Sequence, residues 1–149
     1  MKFSRSLLMS FSLAISLMLC ISSTALAKGM SGRTKKIHGE IPLNGATLQQ
    51  ARLAILMGMY YNKGLKLAYE GETPNTVAAR WDYRGGTVIF DVRYDEKQIQ
   101  VLYRDASEDY ACRELEAGVC HDGTPRYYNY MPNFKKSIRD QLARIVRAK

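Results

Sequence analysis

The sequence predicts an α+β fold: a four-stranded antiparallel meander sheet, with an N-terminal and a C-terminal helix on one face and a disulfide-stapled loop before the last helix. Three observations lead there. Residues 48–61 are apolar at helical spacing behind a T-x-x-Q start, and residues 65–103 alternate apolar and polar side chains between turn signals. The two cysteines Cys112 and Cys120 then precede a second amphipathic stretch. Helices at both ends of an uninterrupted run of strands give an α+β layer rather than parallel βαβ units.

The elements follow in chain order. Lys2 and Arg5 precede an apolar run over 7–21, and Ala25-Leu26-Ala27 offers a small-x-small cleavage site. Residues 1–27 therefore read as a secretory signal peptide, which places the protein in the periplasm or outside the cell. The alternative is a lipid anchor on Cys20, but Leu19 stands where a lipobox needs a small residue. Residues 28–42 begin with KGMSGRTKK and read as a flexible basic arm, and residues 43–149 as a single domain.

Within that domain, Thr47 and Gln50 form the capping box of a helix expected to stop near Gly64 as its C′ residue. Its apolar residues run most of the way round, as in a helix covered by a sheet and something more. Leu65, Leu67 and Tyr69 start the meander, followed by Val77, Ala79, Trp81 and Tyr83. Val88, Phe90, Val92 and Tyr94 are next, then Ile99, Val101 and Tyr103. A two-residue turn at Gly85-Gly86 would pair Trp81 with Phe90, Ala79 with Val92 and Arg80 with Asp91, and would put the apolar residues on one face.

Residues 107–118 have helical composition, with Ser107 as N-cap and Gly118 as the point of return. Removing Cys20 with the signal peptide leaves an even pair, and an exported protein oxidises such a pair to a disulfide. Zinc needs closer spacings and more ligands than His38 and His121 supply, and no CxxC motif is present. A continuous helix would hold the two Cα atoms about 12 Å apart, so the chain must fold back. The last helix starts at Met131-Pro132-Asn133, with Phe134, Ile138, Leu142 and Ile145 as its stripe and lysines and arginines elsewhere.

The succession of Val77-Ala78-Ala79-Arg80-Trp81, the Val88-x-Phe90-x-Val92-x-Tyr94 strand, Tyr103-Arg104-Asp105-Ala106-Ser107, and Tyr128-Asn129 before the last helix resembles small exported bacterial proteins of uncharacterised function. Many of these are described as lipoproteins. The likeness spans most of 43–146 and implies no catalytic residue. It departs at the lipobox and in the extra residues around Cys112 and Cys120.

The chain carries a net charge of +8. Without Lys2 and Arg5, 20 basic residues face 14 acidic ones, a net of +6 that favours anionic partners. No Ser–His–Asp spacing, phosphate loop, metal signature or nucleic-acid motif is present, so the expectation is a protein that is not an enzyme, with no cofactor, no metal and no nucleic-acid partner. All ten tyrosines follow the signal peptide, three of them in RYYNYMPNF. Tyrosine and arginine anchor interfaces. The expected partner-binding residues are therefore Arg113, Glu114 and Glu116 on the stapled loop, with Arg126, Tyr127, Tyr128, Asn129 and Tyr130 beside it. The leading expectation is a binding or inhibitory module facing a protein of the envelope. The alternatives are an accessory protein held electrostatically on anionic polymer or lipid by the basic arm and last helix, and a hydrolase of unrecognised type.

Overall fold

The computed structural model describes residues 29–148. The expected signal peptide over 1–27, Cys20 with it, lies outside the described residues. The fold is α+β. A five-stranded antiparallel sheet is built from β1 (Ile41–Pro42), β2 (Leu67–Thr73), β3 (Thr76–Tyr83), β4 (Gly86–Tyr94) and β5 (Gln98–Ala106), in the order β1-β5-β4-β3-β2. The meander of the last four strands is as expected. The fifth strand is the correction: Ile41 pairs with Ile99 and Pro42 with Gln98.

Helix α2 (Leu48–Tyr60) opens on the Thr47/Gln50 capping box, with bonds of 3.2 and 2.9 Å. It ends at Tyr60, earlier than expected, because Asn62 Oδ1 accepts from the Gly64 and Leu65 amides and turns the chain toward β2. The C-terminal helix α4 (Pro132–Arg147) buries Phe134, Ile138 and Leu142 as its stripe predicts. The two helices meet at Gly58, where a Cβ would lie 2.8 Å from Ile138 Cγ1 and 2.9 Å from its Cα. Ala51, Ile55, Phe134 and Ile138 share one core with Val77, Ala79, Val88, Phe90, Val92 and Val101, so both helices cover the same face of the sheet. The outer side of α2 is less covered than its composition suggests, with Leu48 and Leu53 exposed.

The register differs from expectation by two residues. The β3–β4 turn is Arg84-Gly85, at φ 50° and 79°, so Tyr83 pairs with Gly86, Trp81 with Val88 and Ala79 with Phe90. A shift of two leaves every side chain on its predicted face. Gly86 is needed elsewhere: a Cβ there would stand 2.5 Å from Tyr110 Cε2. Arg80 accordingly lies opposite Ile89 and pairs with Glu70 at 3.0 Å and Asp82 at 2.9 Å, while Asp91 binds Arg104. Trp81 is buried, as expected. It lies under Tyr83, Tyr110 and Tyr130, with ring centroids 5.1–5.5 Å away. In β2 the burial alternation fails after Leu67: Tyr69 keeps the register, opposite Ala79, but is exposed on this edge strand, and a bulge follows between Tyr69 and Gly71.

Two further segments differ in kind. Residues expected as a flexible arm contain helix α1 (Gly32–His38), capped by Ser31, with Thr34, Ile37 and His38 buried. The expected helix over 107–118 is instead a 3₁₀ turn (Glu108–Tyr110) followed by a hairpin, β6 (Cys112–Glu116) and β7 (Val119–Gly123). The chain returns at Ala117-Gly118, both at positive φ, so Gly118 is the turning point the sequence indicated. The Cys112–Cys120 disulfide brings the Cα atoms to 5.7 Å, which a helix cannot do. A short helix α3 (Pro125–Tyr130), capped by Thr124, links the hairpin to α4.

Candidate functional site

The outer edge of β5 positions α1 and the hairpin. Beyond Ile99 no strand among the described residues lies beside this edge, and two of its polar groups are taken up singly. His38 Nδ1 lies 2.7 Å from Val101 O, and Tyr103 N donates to Gly118 O at 2.7 Å. Covering an edge this way prevents pairing with another chain. The other nitrogen of His38 lies 2.8 Å from the Tyr127 hydroxyl. A neutral imidazole satisfies both contacts only with Nδ1 donating to the carbonyl and Nε2 accepting from the phenol. Both side chains are fully buried. Burial lowers the His38 pKa to about 4 against the bond to Val101, which acts the other way. Burial likewise pushes the Tyr127 phenol up.

That pair decides what the tyrosine-rich segment does. Tyr127 is fully buried and cannot touch a partner in the folded protein, contrary to expectation. Tyr128 ties α3 to the hairpin, donating to His121 O at 2.9 Å and accepting from Gly123 N at 3.2 Å. Tyr130 packs beside Trp81 and Tyr83. Arg126 is exposed and pairs with Asp109 across to the 3₁₀ turn, at 2.5 Å. Asn129 is also exposed and lines a shallow groove with Tyr128, Arg33 and Lys36. On the hairpin, Arg113, Glu114 and Glu116 are all exposed. Arg113 binds Asp122 across the strands, and Glu116 lies 3.6 Å from His121 Nε2. The tip adds Leu115, 49% exposed, which sequence reasoning passed over.

A second surface is created by the helices. The last turn of α1 lies against α4, so Lys35 and Lys36 line one groove with Lys135, Lys136 and Arg139. Lys135 Nζ donates to Lys35 O at 2.8 Å. Its pKa is lowered by partial burial first, then by Arg139 and Lys35. Burial alone lowers a lysine pKa; only the smaller contributions of Arg139 and Lys35 reflect neighbouring positive charge. No carboxylate is among the described residues that line the groove; Asp140, next to it on α4, lies 2.9 Å from Lys136 and 3.9 Å from Arg139. The sequence named the basic arm and the last helix as the cationic segments; what it gave no sign of is their contact, between residues about 100 apart.

The groove runs on into a cleft of about 440 Å³ between the end of α2 and α4, sharing Asn133 and Lys136 with it. Among the described residues there is no group of three or more His, Cys, Asp or Glu side chains placed to hold a metal ion. No described helix is long and apolar enough to cross a membrane. No family model, curated protein or solved structure matches the chain.

Proposed function

We propose that this is an exported, non-catalytic protein of the bacterial envelope, held on an anionic polymer by the basic face of α1 and α4. The observation that carries this reading is the convergence of Lys35, Lys36, Lys135, Lys136 and Arg139 on one groove whose lining, among the described residues, includes no carboxylate. Five cations on two packed helices hold their charges in a fixed array, which attracts a polyanion more than the same charges scattered over the surface. The disulfide agrees with an oxidising compartment.

The test compares two charge reversals of equal size. Lys36→Glu/Lys136→Glu/Arg139→Glu alters the groove, and Lys66→Glu/Arg93→Glu/Lys97→Glu alters exposed positions elsewhere. Retention on isolated envelope polymer is expected to fall with salt and to be lost only in the groove variant. Equal losses in both variants, or retention indifferent to salt, refute the reading. Retention on anionic vesicles but not on polymer replaces the polymer with a lipid surface.

A second reading keeps a protein partner at the stapled hairpin, favoured by the exposed Leu115 between Arg113 and Glu116 on a cross-linked loop. An ordered loop loses less entropy on binding. A one-to-one complex that survives high salt and is abolished by Leu115→Asp would establish it in place of the first.

A further inference from the structure

Helix α2 carries two apolar stripes. Ala51, Ala54, Ile55, Gly58 and Met59 are buried against the sheet and α4. Leu53, Leu56, Met57, Tyr60 and Tyr61 repeat the same spacing two residues further on. At about 100° per residue, that offset carries the second stripe to the far side of the helix, away from the core. Leu53 is 46% exposed, Tyr60 81% and Tyr61 55%, while Leu56 and Met57 are half-buried. The two tyrosine rings meet edge-on at 4.9 Å between centroids. No residue between Arg52 and Lys63 is charged. A single exposed leucine needs no explanation, but an aligned stripe of this kind marks a face that docks on something.

The groups at the rim decide what that is. Arg52 is spent on Glu72 within the chain, through bonds of 2.8 and 2.7 Å. Lys63 and Arg144 line the cleft beside Tyr61, are exposed, and have no carboxylate partner among the described residues. Asp140, which lines the same cleft, is held by Lys136 at 2.9 Å. The free charge at the rim is therefore positive. A second copy docked here about a two-fold axis would meet the same cations and no free carboxylate. An anionic bilayer satisfies both parts of the surface, with its acyl boundary on the stripe and its headgroups on the cations. Tyrosine suits that boundary, because its ring is apolar and its tip polar. Since α2 and α4 cover the same face of the sheet, their outer sides look the same way, and the stripe and the free cations can meet one surface together.

We propose that the outer face of α2 is a membrane-docking surface, which rests on an anionic bilayer with Leu53, Met57, Tyr60 and Tyr61 in the interfacial layer and Lys63 and Arg144 at the headgroups. The helix stays packed on the sheet and lies along the bilayer, since no described helix is built to cross it. This face is separate from the groove of α1 and α4 and does not depend on the polymer reading.

The test is co-sedimentation of the purified protein with vesicles of phosphatidylglycerol and phosphatidylcholine in equal parts, and with phosphatidylcholine alone. The protein is expected to bind the mixed vesicles, and Leu53→Ser/Tyr60→Ser to weaken that binding about tenfold or more. Both positions are exposed, so the unfolding midpoint should hold. Lys63→Gln/Arg144→Gln should weaken binding to mixed vesicles about tenfold and leave the weaker binding to neutral ones unchanged. Tyr61→Trp adds a readout that charge alone does not move: the new emission, over that of buried Trp81, should shift to the blue on mixed vesicles and be quenched by brominated acyl chains. Leu53→Ser/Tyr60→Ser should leave polymer retention intact, so that this surface and the basic groove stand or fall separately. Failure to bind mixed vesicles, or equal binding by the serine variant, overturns the proposal. A dimer that the serine variant turns into a monomer, with no vesicle binding, assigns the face to a second copy and overturns it as well.

Discussion

Acidification tests the buried His38–Tyr127 pair. In the folded protein the imidazole is neutral, wedged between Val101 O and the Tyr127 hydroxyl, with its pKa lowered from 6.5 to about 4. The unfolded chain therefore binds a proton between those values that the folded one does not. The stability due to neutral His38 is fully present above about pH 6.5 and is lost as pH falls toward about 4. A gap of this size amounts to about 3 kcal/mol in full, most of which is lost by about pH 4.5. Urea unfolding followed by the fluorescence of Trp81, the single tryptophan, measures it. His38→Gln supplies the reference, since it removes this one imidazole and leaves every other ionisable side chain in place. Between about pH 7.5 and 4.5 the native protein should lose roughly 2–3 kcal/mol more than the variant. Tyr127→Phe, which leaves Nε2 buried without its donor, should cost about 1–3 kcal/mol near neutral pH. Parallel stability curves for native protein and His38→Gln would show that His38 takes up its proton without unfolding, and would refute the argument.

Three further outcomes follow from the packing. Gly58→Ala should destabilise by about 1–3 kcal/mol despite the better helix propensity of alanine, because the new Cβ meets the backbone of Ile138; a rise in midpoint would mean that α2 and α4 separate freely. Trp81→Ala should cost about 3–5 kcal/mol, the usual loss for a large buried aromatic, and a native Trp81 open to fluorescence quenchers would contradict its burial under Tyr110 and Tyr130. Replacing Cys112 and Cys120 by serine should cost about 2.5 kcal/mol from the loop-closure model and leave the circular-dichroism signal of the sheet intact. Two free thiols in the unreduced native protein would refute the staple.

The sequence alone determined the elements whose pattern is local. The Thr47/Gln50 cap, the stripe Phe134–Ile138–Leu142 and the alternating strands 77–83 and 88–94 each follow from one short window, and they stand where the pattern puts them. The even cysteine pair and the glycine at 118 were equally legible, because a cross-link and a positive φ constrain the chain whatever surrounds them. Tertiary structure decided the rest. Residues 112–116 have helical composition yet form a strand, since a helix cannot close the disulfide or set Gly118 O against Tyr103 N. The register moved by two because Gly86 is needed under Tyr110, a contact 24 residues away that no window contains. Helix α1 has almost no apolar pattern of its own. It is held by Ile37 and His38 against the free edge of β5, and that docking brings its lysines to α4. The candidate site was therefore the least legible part: its charges come from segments distant in sequence, and only the packing of α1 and α2 against α4 gathers them onto one surface.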